Sequence, residues 1–426
     1  MTKGRNTYFW KLVLAVVFLA TAALLAGYVQ AREIVVKTDL QQAIDQAADG
    51  DILILPGKVY SGPIFISKSI ALQGRAKARV VGSGVGNAIT VTGTNVAIRG
   101  LQITGSGLSL QTQDSGVFLD KTATGAIVEG NELNNNLIGI YISGAKNSLV
   151  RGNKITGRQD LRMNERGNGI QIWNAPGSII EENDIRFGRD GIFSTTSKKN
   201  IFRNNRMRDL RFAIHYMYTD KSRIIGNYSA GNHIGYALMS STDLMVDGNI
   251  SDGDRDRGLL FNYANKIVVK RNIVRGGTEK CIFIYNSNKN EFTGNLLSDC
   301  QIGIHFTAGS EHNAVSGNAF VNNRTQVKYV GTRWLEWSVA GRGNYWSDAS
   351  AFDLDRNGIA DSVYRPNNLT DRIIWQFPSA RLLANSPAVQ ILKYAQSAFP
   401  AMHPGGVVDS APLMQIPAEL ARNVSK

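Results

Sequence analysis

Two consecutive segments of equal length decide the fold: residues 205–226 read NRMRDLRFAIHYMYTDKSRIIG, and residues 227–248 read NYSAGNHIGYALMSSTDLMVDG. Each begins with an asparagine, contains a short alternating apolar run and ends in a glycine. The same asparagine recurs, at spacings of 22, 30, 22, 22, 22, 23, 23 and 23, as Asn131, Asn153, Asn183, Asn205, Asn227, Asn249, Asn272, Asn295 and Asn318. A repeat of this period predicts a solenoid.

An alternating segment recurs within every unit, as in Gly139-Ile-Tyr-Ile142 and Gly303-Ile-His-Phe306. Period-two alternation in short runs, separated by Gly and Asn, predicts strands and turns instead of helices. A coil of 22–23 residues accommodates three short strands and three turns. The sequence therefore predicts an all-β fold, a right-handed parallel β-helix, in which the asparagines stack as a hydrogen-bonded ladder.

The chain divides into three segments: residues 1–31, 32–346 and 347–426. Lys3, Arg5 and Lys11 precede an uncharged run at 12–31 that ends in small residues, which predicts a cleaved signal peptide, with a retained membrane anchor as the alternative. Residues 32–346 hold the β-helix, and an amphipathic helix at 40–48 is expected to cap its first coil. Residues 347–426 form an aperiodic extension.

Composition excludes several classes of protein. Hydrophobic residues make up 43% of the 426 residues and charged residues 19%, which excludes a disordered chain. The net charge is +13, but the basic residues are dispersed and carry no nucleic-acid-binding motif, so no nucleic-acid partner is expected. Two cysteines exclude a disulfide scaffold, although Cys281 and Cys300 fall on adjacent coils, where an exported protein favours a disulfide over free thiols.

Strand alternation places His215, Met217 and Met239 on one outward face. Met217 and Met239 occupy equivalent positions in neighbouring coils, and His215 lies two residues before Met217. Two thioethers and an imidazole suit a soft ion, which predicts a site for copper as Cu(I). His233 lies in the turn before the Met239 strand and is a possible fourth ligand.

The alternative for the same face is a docking patch for another protein. Trp173 and Phe193 project outward in the neighbouring coils. Methionines beside exposed aromatic residues are typical of protein-binding surfaces, and a metal passed between proteins also needs an interface around it. An inserted loop at 157–166, which contains Met163, accounts for the one irregular spacing, and inserted loops often carry function.

The extension contains two further candidates. Asp353, Asp355, Asn357 and Asp361, with a glycine between them, resemble a Ca²⁺ loop that lacks the usual distal Glu. A hydrogen-bonded turn is the alternative to calcium binding. A second segment opens with Ser386-Pro387 and predicts a short amphipathic helix. Its apolar residues recur at helical spacing: Ile391, Leu392 and Tyr394.

Several motifs resemble the NosD family, the exported maturation factors of the copper enzyme nitrous oxide reductase. They are NERGNGIQIWN at 164–174, RDGIF at 189–193, FAIHYM at 212–217, GYALM at 235–239, GLLFN at 258–262 and GNYWSD at 343–348. The resemblance implies a periplasmic protein that is not an enzyme and that docks on an ABC transporter made of an ATPase and a permease. It also implies copper received from a lipoprotein chaperone and used to build the copper-sulfide centre of the reductase. The helix at Ile391 is then expected to contact the permease, and through it the membrane.

Two other functions remain open from the residues alone. A polysaccharide lyase or C5-epimerase needs a base clustered with acidic and cationic side chains on one outward face. No such grouping is evident among the outward-facing residues of the strands, where His215 has methionine neighbours. A scaffold of the transporter complex that never touches metal is the other alternative.

Overall fold

The computed structural model describes residues 31–307, 309–383, 386–399 and 405–424. The predicted signal peptide, apart from its last residue, lies outside these ranges. Within them, no helix is long and apolar enough to cross a membrane.

Three parallel sheets are stacked along the chain, so the predicted parallel β-helix is confirmed. The first sheet contains β1 Glu33–Val35, β2 Ile52–Leu55, β5 Ala71–Gly74, β8 Ala97–Arg99, β11 Ile127–Glu129, β14 Leu149–Arg151, β17 Ile179–Glu181, β20 Ile201–Arg203, β23 Arg223–Ile225, β26 Met245–Asp247, β29 Val268–Lys270, β32 Glu291–Thr293 and β35 Ala314–Ser316. The second contains β3 Val59–Ser61, β6 Arg79–Val81, β9 Gln102–Thr104, β12 Glu132–Asn134, β15 Lys154–Thr156, β18 Asp184–Arg186, β21 Arg206–Arg208, β24 Tyr228–Ala230, β27 Ile250–Asp252, β30 Ile273–Arg275, β33 Leu296–Ser298, β36 Ala319–Val321 and β39 Tyr345–Trp346.

The third sheet carries the longest strands. It contains β4 Ile64–Ile66, β7 Ile89–Val91, β10 Ser115–Leu119, β13 Ile138–Ser143, β16 Ile170–Trp173, β19 Asp190–Thr195, β22 Phe212–Met217, β25 Ile234–Met239, β28 Arg257–Asn262, β31 Lys280–Tyr285, β34 Ile302–Thr307 and β37 Thr325–Val330. Alternate residues point into the solenoid, where Ile214, Tyr216, Tyr236 and Leu238 are fully buried. The side chains between them face outward.

The asparagine ladder is confirmed in the turn between the first and second sheets. Asn205 donates from its backbone N–H and from Nδ2 to Oδ1 of Asn227, and Asn227 does the same to Asn249. The ladder continues one rung beyond the predicted series, because Asn318 donates in the same way to Asn344. Each rung satisfies buried polar groups of the coil beside it, which the apolar interior cannot do.

A short helix covers the first edge of the solenoid, as predicted. Helix α1, Leu40–Gln46, is capped by Asp39 and buries Leu40 and Ile44. Its Gln41 side chain donates to the Phe65 carbonyl at 3.1 Å and accepts from the Phe65 N–H at 2.8 Å. These bonds replace those of a missing neighbour strand, so the edge strand β4 is protected from pairing with another chain.

The C-terminal extension closes the other end. Strand β40, Gly406–Val408, pairs with β38, Trp334–Glu336. Asp409 then accepts hydrogen bonds at its Oδ2 from the Asn344 N–H at 2.7 Å and from Trp346 Nε1 at 2.8 Å. The described part of the extension also contains three helices, α2 Leu369–Gln376, α3 Pro387–Ala398 and α4 Ala418–Val424, with a 3-10 turn at Pro378–Leu383. The extension therefore supplies the last rung of the ladder.

Cys281 and Cys300 form a disulfide, with their Cα atoms 5.8 Å apart. This confirms the pairing that the exported context favours. The bond joins β31 to the turn after β33 and ties two coils together.

A second buried polar ladder runs between the second and third sheets and includes one acid, Asp254. Its carboxylate accepts from the hydroxyls of Ser229 and Ser251 at 2.6 Å each, and from the Asn232 N–H at 2.8 Å. Burial raises the pKa of Asp254 to about 6, although these hydrogen bonds partly oppose the shift. The ionised form is therefore costly near neutral pH.

Asp254→Asn is expected to remove a pH dependence of stability. The pKa of Asp254 in the folded state lies above its unfolded value of 3.8. The contribution of Asp254 to stability is therefore complete below pH 3.8 and is lost as the pH rises through about 6. A shift of this size corresponds to about 3 kcal/mol. Urea unfolding between pH 4 and pH 8 should show the parent losing stability while the variant stays level. Asp45→Asn, at an exposed acid, should follow the parent, and identical profiles for all three proteins would contradict the prediction.

Candidate functional site

The outer face of the third sheet carries the candidate site, and the strand register aligns the outward-facing residues of successive coils in two columns. One column contains Tyr141, Gln171, Phe193, His215, Ala237, Leu260, Phe283 and His305. The other contains Ser143, Trp173, Thr195, Met217, Met239, Asn262 and Tyr285. The parallel stacking of coils fixes these neighbours, because residues in register lie about 4.8 Å apart.

Met217 and Met239 are register partners at the ends of β22 and β25. Both side chains are half-buried and lie on the outer face, outside the main core. Met239 packs against a small apolar cluster formed by Ile234, Ala237 and Leu260. The two thioethers are therefore held side by side on a surface that a partner or an ion can reach.

His215 lies in a cluster with Asp190 and Arg211. Its Nδ1 is 3.0 Å from Oδ2 of Asp190, and Arg211 donates to both carboxylate oxygens of Asp190, at 2.8 Å and 2.6 Å. The rings of Phe193 and Phe212 each lie 5.0 Å from the imidazole. Burial raises the pKa of Asp190, but the hydrogen bonds from His215 and Arg211 outweigh burial and leave that pKa lowered.

This arrangement fixes the orientation of the imidazole. Because Asp190 is ionised, Nδ1 of a neutral His215 carries the proton and donates it in the hydrogen bond. Nε2 then holds the lone pair, and no described residue donates a hydrogen bond to it. Metal-binding histidines commonly have a carboxylate on the other ring nitrogen in this way.

Sequence reasoning missed Asp190 and Arg211. Asp190 is the first residue of β19 and lies just before the Gly that begins the alternating segment of its coil. Arg211 lies just before β22. An acid, a cation and a base do therefore lie together, which corrects the expectation that no outward column groups them. Arg211 is already paired with Asp190, so its guanidinium is not available to neutralise a substrate carboxylate.

The structure does not bring His233 to the methionine pair. His233 precedes β25, whereas Met239 is its last residue, so the two lie about 20 Å apart along the strand. His233 is exposed, and its Nε2 lies 3.8 Å from Oδ2 of Asp256. Its expected role as a fourth ligand is wrong, because a turn residue at one end of a strand cannot reach the other end.

The inserted loop at 157–166 lies beside the cluster. The Asp190 N–H donates to Oδ1 of Asn168, which follows the loop, and the Arg189 N–H donates to the Gly167 carbonyl. Met163 in the loop is half-buried. The loop therefore borders the His215 cluster through its backbone and through Asn168.

Exposed aromatic residues line the edge of the face where the third-sheet strands end. The exposed fractions are 45% for Trp173, 59% for Tyr218, 52% for Tyr263 and 40% for Tyr285. Tyr218 and Tyr263 adopt φ of 53° and 51°, a left-handed conformation that is uncommon for bulky residues. Phe193 is half-buried beside His215 and contributes less to this surface than expected.

The predicted calcium loop forms a hydrogen-bonded turn. The carboxylate of Asp353 accepts from the N–H groups of Asn357 and Gly358, and that of Asp361 accepts from the Leu354 N–H. The amide of Asn357 bonds to Asp355 at 2.8 Å. This geometry corresponds to the alternative to a calcium site, and the calcium prediction is not supported.

Across the described ranges, no group of three or more His, Cys, Asp and Glu side chains is arranged to hold a metal ion. Thioethers fall outside that set of ligands, so the Met217–Met239 pair remains the candidate for a soft ion.

Helix α3 presents an apolar surface. Ile391 is 68% exposed and Tyr394 75% exposed, while Leu392 is half-buried. Phe377 and Leu382, in the connection from α2, are 62% and 91% exposed. Exposed apolar groups of this extent mark surfaces that bind proteins or membranes.

Comparison with known proteins identifies the family. A NosD protein of Pseudomonas aeruginosa, described as a probable ABC transporter binding protein, is 38% identical over 383 residues, which cover 87% of this chain and 89% of that protein. The chain belongs to the NosD family. A NosD relative from Stutzerimonas stutzeri with the same description is 38% identical over 379 residues, or 86% of this chain and 87% of the relative.

The family described as periplasmic copper-binding protein (NosD) matches residues 151–351. This span includes the inserted loop, the His215 cluster and the methionine pair. The resemblance to NosD is therefore confirmed. The family is described as periplasmic and copper-binding, and both relatives are described as probable ABC transporter binding proteins.

Solved structures share only the fold of this NosD-family chain. The surface adhesin PfbA of Streptococcus pneumoniae superposes with a TM-score of 0.53 at 10% identity, over 70% of this chain and 91% of the adhesin. An exopolygalacturonase of Yersinia enterocolitica gives 0.50 at 11% identity, over 68% and 79%. Adhesin and enzyme thus share one scaffold, so function must be argued from the site.

Proposed function

We propose that this NosD-family protein receives copper as Cu(I) on the outer face of its third sheet and passes it on for maturation of nitrous oxide reductase. A copper-chaperone lipoprotein is the donor, and an ABC transporter of permease and ATPase is the membrane partner. The observation that carries the proposal is the register pair Met217–Met239 on the surface of a member of a family described as copper-binding.

The chemistry of the pair favours Cu(I). Thioethers are soft, uncharged ligands that suit Cu(I), whereas Zn²⁺ prefers thiolate, imidazole or carboxylate. His215, two residues before Met217 on the same face, offers Nε2 as a third ligand. In the neutral imidazole, the hydrogen bond to Asp190 fixes the tautomer that carries the proton on Nδ1 and the lone pair on Nε2. Three ligands leave the coordination of the ion incomplete, so a partner would supply a further ligand, which suits an ion that is transferred.

The surroundings suit a transfer interface. Trp173, Tyr218, Tyr263 and Tyr285 border the same face and expose large aromatic surfaces. Aromatic residues and methionine are enriched where proteins bind each other. The donor lipoprotein would cover this surface, and copper would pass within a site shielded from water.

The export of the protein rests on three observations. The family is described as periplasmic, the N-terminal sequence has the pattern of a signal peptide, and Cys281 and Cys300 are disulfide-bonded. Disulfides persist in oxidising compartments.

Replacing both methionines by leucine tests the copper proposal. Met217→Leu with Met239→Leu keeps the apolar volume and removes both sulfur atoms, so the fold should persist. We expect Cu(I) affinity, measured anaerobically by competition with a chromogenic chelator, to fall at least tenfold. Reductase matured with the variant should be deficient in copper.

Met245→Leu is the matched control, because Met245 is also half-buried but lies on the first sheet. It should bind Cu(I) like the parent. Unchanged Cu(I) affinity and full copper loading in the double variant would remove the site from this face. The next candidates would then be Met163 and the Met402–His403 pair, which lies outside the described residues.

Contact with the permease is assigned to helix α3. Ile391→Glu should abolish co-purification with the transporter, because it places a charge in the apolar surface while leaving the solenoid intact. Gln390→Glu, at the exposed neighbouring position, adds the same charge and should have no effect. Equal recovery of the transporter with both variants would rule out α3 as the contact. Point variants are needed because deletion of the extension would also remove Asp409 from the ladder.

A further inference from the structure

A second feature of the same outer face is a group of basic side chains in the last coils. Arg257 and Lys280 are register partners at the starts of β28 and β31, and both lie over the ring of Phe283, at 5.0 Å and 6.0 Å. Lys328 on β37 is the register partner of His305 on β34. The imidazole of His305 lies 5.0 Å from the Phe283 ring.

Acidic neighbours balance only part of this charge. Arg257 pairs with Asp256 at 2.7 Å, and Lys280 pairs with Glu279 and lies 3.8 Å from Asp256. Lys328 forms no ion pair with any described residue, and Arg372 of helix α2, which donates to the Gly331 carbonyl, forms none either. Two cations are therefore left without an ion pair in the described part of the chain, although the charge of Glu279 acts on Lys328 from a distance.

A cavity of about 450 Å³ adjoins these two cations. It lies between strand β37 and helix α2, and its walls include Lys328, Tyr329, Thr332, Arg372, Trp375 and Gln376. The ammonium group of Lys328 lies 5.8 Å from the Trp375 ring. The cavity thus combines an aromatic wall with unpaired positive charge, and its volume suits a small molecule.

The titratable groups respond to this excess charge. Burial, followed by repulsion from Lys328, Lys280 and Arg257, lowers the pKa of His305 to about 4. Burial and then the charge of Lys280 lower the pKa of Lys328. Nδ1 of His305 is also buried without a hydrogen-bond partner in the described chain. A bound anion would relieve the repulsion among these cations.

We propose that Lys280, His305, Lys328 and Arg372, together with the cavity beside Trp375, form a binding site for a small molecule that carries an oxyanion group. The oxyanion lies among the basic side chains, and the uncharged part of the molecule lies against the indole. The site is separate from the methionine pair, because His305 is three coils from Ala237, or about 14 Å. It does not depend on copper binding.

Benzoate, inorganic sulfate and neutral benzamide are suitable probes for calorimetric titration of the full mature chain. We expect benzoate to bind more tightly than sulfate, because only benzoate fills the aromatic cavity, and we expect no binding of benzamide. Lys328→Gln should weaken benzoate binding at least tenfold. Lys154→Gln removes the same charge from an exposed position of the second sheet and should bind benzoate like the parent.

The NMR signals of the histidine side chains provide an independent readout, since the chain has only five histidines. Saturating benzoate should raise the pKa of His305, because the anion offsets the nearby cations. If Lys328→Gln is poorly folded by circular dichroism, Lys280→Gln replaces it with the same expectation. Absence of benzoate binding, equal binding of benzamide, or an unchanged pKa of His305 would overturn the proposal.

Discussion

Replacing Asn227 by alanine is expected to lower the free energy of unfolding by about 3–6 kcal/mol, because it leaves several buried polar groups unpaired at about 1–3 kcal/mol each. Asn227 is fully buried at the middle of the ladder. Its Oδ1 accepts from the N–H and Nδ2 of Asn205, and its Nδ2 donates to the Phe202 carbonyl. No other described side chain can replace these bonds without moving a coil.

Chemical denaturation followed by circular dichroism measures this effect. Asn164→Ala, at an exposed position of the inserted loop, removes the same side chain and should change the unfolding free energy by less than about 0.5 kcal/mol. Equal stability of the two variants would show that the ladder is dispensable. A loss of this size is a large fraction of the stability of an ordinary domain, so expression of the Asn227 variant should also fall.

Asp409→Ala is expected to open the C-terminal end of the solenoid, at a cost of about 2–4 kcal/mol. The carboxylate of Asp409 is the only described partner of Trp346 Nε1 and also receives the Asn344 N–H. Burial raises the pKa of Asp409, partly opposed by these hydrogen bonds, so the site is already costly to charge. Removing the acceptor leaves the last rung unpaired and loosens the stacked Trp346 and Phe320 rings.

Limited proteolysis measures this opening directly. Cleavage in the extension should be faster in Asp409→Ala than in the parent, and the variant should aggregate more readily, because an uncovered solenoid end can pair with another chain. Glu419→Ala, at an exposed acid of helix α4 in the same extension, is the control and should be cleaved at the parental rate. Parental resistance of the Asp409 variant would mean that strand β40 alone closes the end.

The fold could be predicted because a solenoid makes long-range contacts periodic. Once the asparagine spacing is known, the neighbour of Met217 is the residue one repeat later, Met239, and the register confirms it. The same arithmetic places Asn205 on Asn227 and orders both outward columns. In most folds, contacts at such separations cannot be derived from one sequence, because no fixed period relates the partners.

The candidate site was only partly predictable for the same reason. The methionine pair follows from the repeat, whereas the Asp190–Arg211–His215 cluster depends on side chains that reach across strand starts outside the alternating segment. The prediction for His233 is wrong because a residue close in sequence to the start of the Met239 strand is far from the end of that strand. The calcium pattern matched ligand spacing, but the carboxylates satisfy backbone N–H groups instead.

Local alternation repeated at a constant period is sufficient to specify the parallel β-helix, the ladder and the outward placement of the two methionines, so these features can be derived from the residues alone. The closure of the C-terminal end of the solenoid and the accumulation of positive charge near Trp375 are visible only in the folded chain. Asp409 meets Asn344 across 65 residues of aperiodic chain, and Lys328 meets Trp375 through the return of helix α2 over the last coil. Such contacts depend on the path of the connecting chain, and no local pattern of residues encodes that path.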